Sequence, residues 1–197
     1  MIGVFGGTFD PPHVGHLILA DEARGVLSLG HVLWVVTGVP PHKPVGPVTP
    51  VNDRIEMVDR AIQGNPDFTL SRIELDRPGP HYAAETLELL AAGNPDQEWA
   101  YVMGEDSLAD LPNWHRPNRF VALCRSIVVL RRSQAQADLD QLDREIPGLG
   151  AKVRLLEVPL VDVSARDIRR RVQAGQPFRY LVAAPVADYI RQHQLYR

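Results

Sequence analysis

Apolar positions along the chain fall into two alternating patterns. Short runs rich in β-branched and aromatic residues occur at 2–5, 32–37, 68–75, 99–103, 127–130 and 153–158 and read as strands. Between them, apolar residues recur at helical spacing over 14–28, 51–63, 81–92, 117–123 and 135–145. The run at 32–37 has no polar alternation, which predicts a strand covered on both faces. Strands alternating with helices predict βαβ units and a doubly wound, Rossmann-like parallel sheet. Such sheets bind ligands beyond the carboxyl ends of their strands, where the strand order reverses. The pattern changes at Ser164. Asp167 follows three residues later, as in a capping box, and Gly175 and Pro177 mark a stop. A last helix is expected over 186–193. We therefore expect an α/β domain over 1–163 and a small helical extension over 164–197, too short to bury a core of its own.

Composition narrows the class. The 197 residues are 45 % hydrophobic and 23 % charged, with a formal charge of −3. Cys124 is the sole cysteine, which excludes an intramolecular disulfide and a multi-cysteine zinc site. No apolar run approaches the ~20 residues of a membrane helix, and the first residues lack the basic start of a secretory signal. A cytoplasmic protein is expected, with neither a membrane nor a nucleic-acid polymer as partner. A homo-oligomer is compatible with the chain. Mild acidity does not exclude anionic small molecules, because local charge can oppose net charge. Residues 111–132 hold Arg116, Arg119, Arg125, Arg131 and Arg132 and no acid, and 164–171 hold four arginines against Asp167. Both segments are expected on the side that meets a polyanion.

The densest chemistry lies in residues 6–16, Gly-Gly-Thr-Phe-Asp-Pro-Pro-His-Val-Gly-His, between the first strand and the first helix. Gly6 and Gly7 permit close backbone approach and dihedrals closed to other residues. N–H groups beyond them, at Thr8 and Phe9, can face phosphate oxygens at a helix N-terminus. His13 and His16 are three apart and share a helix face. Two imidazoles there suit an α-phosphate whose charge grows during transfer. Phosphoryl-type transfer needs positioning and charge neutralisation and no protein nucleophile, and no Ser–His or Cys–His arrangement stands out. A metal pair lacks a third ligand of suitable spacing.

Four later segments add candidates, each with a plain structural alternative. In Pro40-Pro41-His42-Lys43-Pro44, Lys43 is a point charge held by prolines, or a solvated lysine on a stiff connector. Gly104 and Asp106, just past the fourth strand, suit ribose hydroxyls, or Asp106 is a helix cap. Trp114 lies in a polar, proline-bounded stretch and can stack a flat ring, or it packs half-buried. Ser164 and Arg169 open the penultimate helix as an anion site, or as a cap with a solvated basic face.

The 6–16 stretch resembles the opening motif of the nucleotidyltransferase superfamily. Pro-Pro-His-Lys at 40–43, Gly-x-Asp-Ser-Leu at 104–108 and Trp114 resemble the bacterial nicotinate-mononucleotide adenylyltransferases within it, and the likeness spans nearly the whole chain. The resemblance implies lysine on polyphosphate, aspartate on ribose and tryptophan on the pyridine ring. The family's Ile-Ser-Ser-Thr-x-Ile-Arg is matched by Ser164 and Arg169, which it implies bind the ATP triphosphate, while Ala165 and Arg166 depart. Its Gly-x-Ser-Tyr-Thr-x-Asp-Thr-Leu is matched by Tyr82, Thr86 and Leu87, while His81, Ala83 and Glu85 depart. There the backbone around Tyr82 and Ala83 is implied to meet the pyridine carboxylate.

The resemblance implies adenylyl transfer from ATP to nicotinate mononucleotide in NAD biosynthesis, with release of pyrophosphate. His13, His16, Lys43 and Arg169 are the expected catalytic groups. Gly6, Gly7, Thr8, Phe9, Gly104, Asp106 and Ser164 would join His16 and Arg169 around ATP. His42, Lys43, Tyr82, Ala83 and Trp114 would hold the pyridine nucleotide. Mg²⁺ would travel with the phosphates, since no carboxylate cluster looks built to cage it. The alternatives are another acceptor, such as nicotinamide mononucleotide or phosphopantetheine, and a nucleotide-binding module without catalysis.

Overall fold

The computed structural model describes residues 1–39, 49–131, 137–156 and 162–197. Its centre is a parallel sheet of six strands in the order β3-β2-β1-β4-β5-β6. In chain order the elements are β1 (Ile2–Gly7), α1 (Val14–Leu27), β2 (His31–Val36), α2 (Val51–Ile62), β3 (Phe68–Ser71), α3 (Ala83–Gly93) and β4 (Trp99–Gly104). There follow α4 (Glu105–Ala109), α5 (Pro117–Leu123), β5 (Ser126–Leu130), α6 (Leu139–Glu145), α7 (Leu149–Lys152), β6 (Val153–Leu156), α8 (Ala165–Gln173) and α9 (Ala184–Gln192). This is the doubly wound Rossmann-like α/β fold. Gly3 aligns with Val32 on one side and Ala100 on the other, so β1 sits between β2 and β4. The strand order therefore reverses between β1 and β4, and a crevice opens beyond their carboxyl ends.

Both faces of the sheet are buried, which accounts for strands without polar alternation. Val4, Val35, Tyr101, Met103, Ile127 and Val129 face a core shared with Leu87 of α3 and Phe120 of α5. Phe5, Val32, Trp34, Val36, Ala100 and Val102 face the other, shared with Leu19 of α1 and Val58 of α2. A third cluster joins Met57 of α2 to Ile168 of α8 and to Val186 and Ile190 of α9.

Several expected boundaries shift. The third strand ends at Ser71, because residues 72–75 turn back with the Leu75 N–H on the Arg72 carbonyl. β2 stops at Val36, one residue short of the expected end. The expected helix over 135–145 starts at Leu139, where Asp138 caps it by accepting the Gln141 N–H. The helix expected from 81 starts at Ala83 with Tyr82 as its cap residue. The short helices α4 and α7 had no periodic signal. Ser164 caps α8, and Gly175, at φ +65°, takes the left-handed conformation that ends it.

Candidate active site

The crevice at the β1/β4 reversal is a cavity of about 520 Å³. Of the residues proposed from sequence, Gly6, Gly7, Thr8, Phe9, His13, His16, Tyr82, Ala83, Gly104, Asp106, Trp114 and Arg169 line it. His42 and Lys43 lie outside the described residues. Ser164 is not among the lining residues. Its Oγ accepts the Asp167 N–H at 3.1 Å and donates to Asp167 Oδ2 at 3.0 Å, so its hydroxyl is occupied by the cap. Asp106 lies in the first turn of α4, one residue inside the helix, and Gly104 takes the cap position. Arg166 is exposed and outside the lining.

Gly6 and Gly7 line the cavity, but the special dihedrals expected of them are not used. Neither Gly6 nor Gly7 has a positive φ. A Cβ on Gly6 would run into the Tyr101 hydroxyl, and one on Gly7 would lie 2.9 Å from the Phe9 ring. The residue that does take the left-handed conformation is Phe9, at φ +49°, where a side chain is strained. Burial holds it there. Phe9 is 3 % exposed and packs edge-on to Phe5 at 5.3 Å and to His16 at 5.1 Å.

The two histidines form one unit. Their rings stack with centroids 3.6 Å apart, His13 buried and His16 half-exposed. The His13 backbone N–H donates to His16 Nδ1 at 3.1 Å. That bond caps α1 and fixes a tautomer: an Nδ1 that accepts carries no proton, so the proton of the neutral ring sits on Nε2. His16 is thereby set to donate from Nε2.

Two hubs that sequence reasoning missed hold the loops around this pair. Arg54 of α2 is 1 % exposed. Its guanidinium donates to the carbonyls of Thr8 at 2.8 Å, Thr37 at 2.7 Å, Gly38 at 3.1 Å and Thr49 at 3.0 Å. It ties the β1–α1 connection to the one after β2. Burial lowers its pKa, with Asp10 opposing, yet an arginine stays charged. A signal was available. With Val51, Ile55, Val58 and Ile62, Arg54 falls on the apolar stripe of its helix, where a solvated arginine has no place. Asp10 is the second hub, 6 % exposed. It accepts the Tyr196 hydroxyl at 2.7 Å and the Thr49 N–H at 3.3 Å on its carboxylate, and Arg169 at 2.6 Å on its carbonyl. Nothing local in the sequence connects positions 10 and 196.

The far end of the cavity is aromatic. Trp114 is half-buried and packs edge-to-face on Phe120 at 5.2 Å and Tyr101 at 6.2 Å. The N-terminus of α3 lies beside it. His81, which departs from the family pattern, accepts the Val39 N–H on Nδ1 at 3.0 Å and faces the Arg77 carbonyl with Nε2 at 3.1 Å, bracing two loops. Glu85 pairs with Arg77 at 3.0 Å. Glu74 also lines the cavity while only 4 % exposed. Burial pushes its carboxyl above the usual range, against the Thr86 hydroxyl 2.7 Å from Oε1.

The arginine-rich segments do not converge on the crevice. Arg116 and Arg119 both pair with Glu88, Arg125 with Glu98 and Arg170 with Asp167. Of the described arginines in these two segments, Arg169 is the one among the lining residues. The expectation of two basic segments facing the ligand is not met among the described residues: Glu88, Glu98 and Asp167 take up four of the arginines, Arg166 is exposed away from the cavity, and Arg132 lies outside the described residues.

Residues 4–171 match the family described as cytidylyltransferase-like. A protein of Thermomicrobium roseum, described as a probable nicotinate-nucleotide adenylyltransferase, is 45 % identical over 196 residues, 100 % of this chain and 91 % of its own length. A Dehalococcoides mccartyi protein of the same description is 43 % identical over 195 residues, 98 % of this chain and 96 % of its own. Among solved structures, Plasmodium falciparum nicotinic acid mononucleotide adenylyltransferase, complexed with NaAD, superposes with a TM-score of 0.82 over 99 % of this chain and 96 % of its own. At 17 % identity that likeness speaks for the fold.

Proposed function

The chain belongs to the cytidylyltransferase-like family, and from that premise we propose that it transfers the adenylyl group of ATP to nicotinate mononucleotide, the activity for which its full-length relatives are named. The observation that carries this reading is the stacked His13–His16 pair in one cavity with Trp114, at the point where the strand order reverses. An oxygen of the mononucleotide 5′-phosphate attacks the α-phosphorus in line. The bond from the α-phosphorus to the bridging oxygen breaks, and pyrophosphate leaves with its electrons.

His16 Nε2–H donates to an α-phosphate oxygen as charge builds there, and the stacked His13 ring keeps it in place. The Gly6–Phe9 backbone lines the same end. Arg169 meets the departing pyrophosphate, with Lys43 as its partner from the loop after β2. Gly104 and Asp106 serve the nucleotide ribose. Trp114 stacks on the pyridine, and the α3 N-terminus at Tyr82 and Ala83 offers backbone N–H groups to its carboxylate. An anion there favours the acid over the amide. His42 would stand on the acceptor side. Among the described residues no group of three or more His, Cys, Asp or Glu could hold a metal ion. A divalent cation such as Mg²⁺ would be held by oxygens of the ATP phosphates and would add charge neutralisation there.

The test is pyrophosphate release with ATP plus nicotinate mononucleotide, nicotinamide mononucleotide or phosphopantetheine in parallel. Release with the nicotinate nucleotide well above the others is the expected result. Preference for the amide would replace the acceptor while keeping the chemistry. ATP binding without release for any acceptor would overturn catalysis.

A further inference from the structure

Arg169 makes only a long ion pair with the carboxylate beside it, with no hydrogen bond to either oxygen. Its Nη1 donates to the Asp10 carbonyl at 2.6 Å and stands 4.0 Å from Asp10 Oδ2. A guanidinium next to a buried carboxylate ordinarily closes on it as a fork. Here the carboxylate is already served, Oδ1 by the Tyr196 hydroxyl at 2.7 Å and Oδ2 by the Thr49 N–H at 3.3 Å. The Thr49 hydroxyl in turn hydrogen-bonds Tyr196. Arg54, the other cation near Asp10, is fixed by its four carbonyls. Arg169 is held by one carbonyl where Arg54 is held by four, and of the two it is the one that lines the cavity. Tyr196 is not among the lining residues.

We propose that Tyr196 is a positioning residue for ATP: by occupying Asp10, its hydroxyl keeps the Arg169 guanidinium off the carboxylate and turned to the phosphates. This deepens the proposed function and rests on its placement of Arg169 at the pyrophosphate. Without the hydroxyl Asp10 keeps only the Thr49 N–H on its carboxylate, and the Arg169 guanidinium, already 4.0 Å from Oδ2, is the cation placed to close on it as a hydrogen-bonded pair. The fork would then be used within the protein. ATP would bind more weakly, while the mononucleotide, held at the Trp114 end, would not.

Tyr196→Phe removes that one atom. The experiment measures the ATP dissociation constant by calorimetry without acceptor, KM for each substrate, and Tm, on the full chain. The expected result is a rise of about tenfold in Kd and KM for ATP, the order of one charge-assisted hydrogen bond, with KM for nicotinate mononucleotide unchanged. In an Asp10→Asn background Arg169 has no carboxylate to move to, so Tyr196→Phe should add less than about twofold. If Asp10→Asn fails to fold, Arg169→Gln serves as the background and should likewise abolish the effect on ATP. An unchanged ATP Kd in Tyr196→Phe, or both KM values rising in step with a fall in Tm, overturns the proposal. So does an undiminished effect in either background. Wild-type pyrophosphate release is the control that separates this outcome from failure of the functional reading. A wild type that binds ATP and releases none would count against the reaction. A wild type that turns over beside an unaltered Tyr196→Phe would count against Tyr196 alone.

Discussion

His16 has two separable tasks, and substitution can tell them apart. Its Nδ1 accepts the His13 N–H at 3.1 Å, which is the capping bond of α1, and its Nε2–H is the donor we propose for the α-phosphate. His16→Ala removes both. Loss of one donor aimed at developing charge costs a factor of about 10²–10³ in kcat, roughly 2.7–4 kcal/mol. Loss of a helix cap costs about 1 kcal/mol, which for a chain of this size lowers Tm by about 2–4 °C. His16→Gln should divide these effects. In a capping box a glutamine at this helix position reaches back to the cap N–H, so it can restore the bond to His13 and most of the Tm. Its amide reaches the phosphate from another angle and without the ring that stacks on His13 at 3.6 Å, so only part of the rate should return. The assays are pyrophosphate release under saturating substrates and thermal unfolding by calorimetry. A His16→Ala protein within about threefold of wild-type kcat, with its fold intact, would refute the role given to Nε2, since no donor of that kind is worth so little.

Arg54→Met should leave carbonyls of Thr8, Thr37, Gly38 and Thr49 without their donor. At about 1–3 kcal/mol for each buried unsatisfied group, urea unfolding should show a loss of at least several kcal/mol, and a loss under about 1 kcal/mol would mean the loops are held by other means. Trp114→Ala should raise KM for the pyridine nucleotide by roughly 5- to 100-fold, the range of stacking on one base, while KM for ATP stays level; equal rises in both would remove Trp114 from the acceptor side. Glu74 makes a pH prediction. Burial raises its pKa in the folded state, so its contribution to stability is full below the ordinary carboxyl value near 4.3 and is lost as pH rises through the higher folded value. Glu74→Gln cannot ionise, so it should melt above wild type at neutral pH and converge with it in acid. A variant less stable than wild type at neutral pH would show that the ionised form is the one the fold stabilises.

What could be read from sequence was local or periodic. The six strands announced themselves because a sheet covered on both faces needs apolar residues at successive positions, as at Val32–Val36. The His13–His16 pair was visible because its spacing equals a helical turn. The residues that position the pair were not visible. Asp10 is joined to Tyr196 across 186 positions, and such pairing leaves no trace in any window. The pattern at Gly6 and Gly7 pointed to close backbone approach and to unusual dihedrals; the dihedrals are ordinary, and the need for room beside the Tyr101 hydroxyl and the Phe9 ring comes from tertiary packing. Arg54 lies between these cases: its place on the apolar stripe was a signal in plain view, and its partners could not be guessed.

The source of positive potential also differs from what charge counting suggests. Arg116, Arg119, Arg125 and Arg170 are taken up by Glu88, Glu98 and Asp167, and of the acids that line the cavity two, Asp10 and Glu74, are buried. In a site for a polyanion each buried carboxylate must be compensated. Asp10 is covered by an O–H and an N–H donor, and Glu74 is pushed towards its neutral form. Backbone adds to the positive potential of the cavity. The N-terminal ends of α1, α3 and α8 all contribute lining residues, at His13 and Gly15, at Tyr82 and Ala83, and at Ala165. Each helix end carries about half a positive charge, so together they approach the strength of Arg169 and Lys43 without a mobile side chain. Fixed dipoles need not reorganise when charge moves from the α-phosphate to the leaving pyrophosphate. Side-chain cations do need holding, which is why the buried acid at Asp10 matters: it must attract Arg169 enough to anchor it, and Tyr196 must satisfy it enough to leave the arginine turned outward.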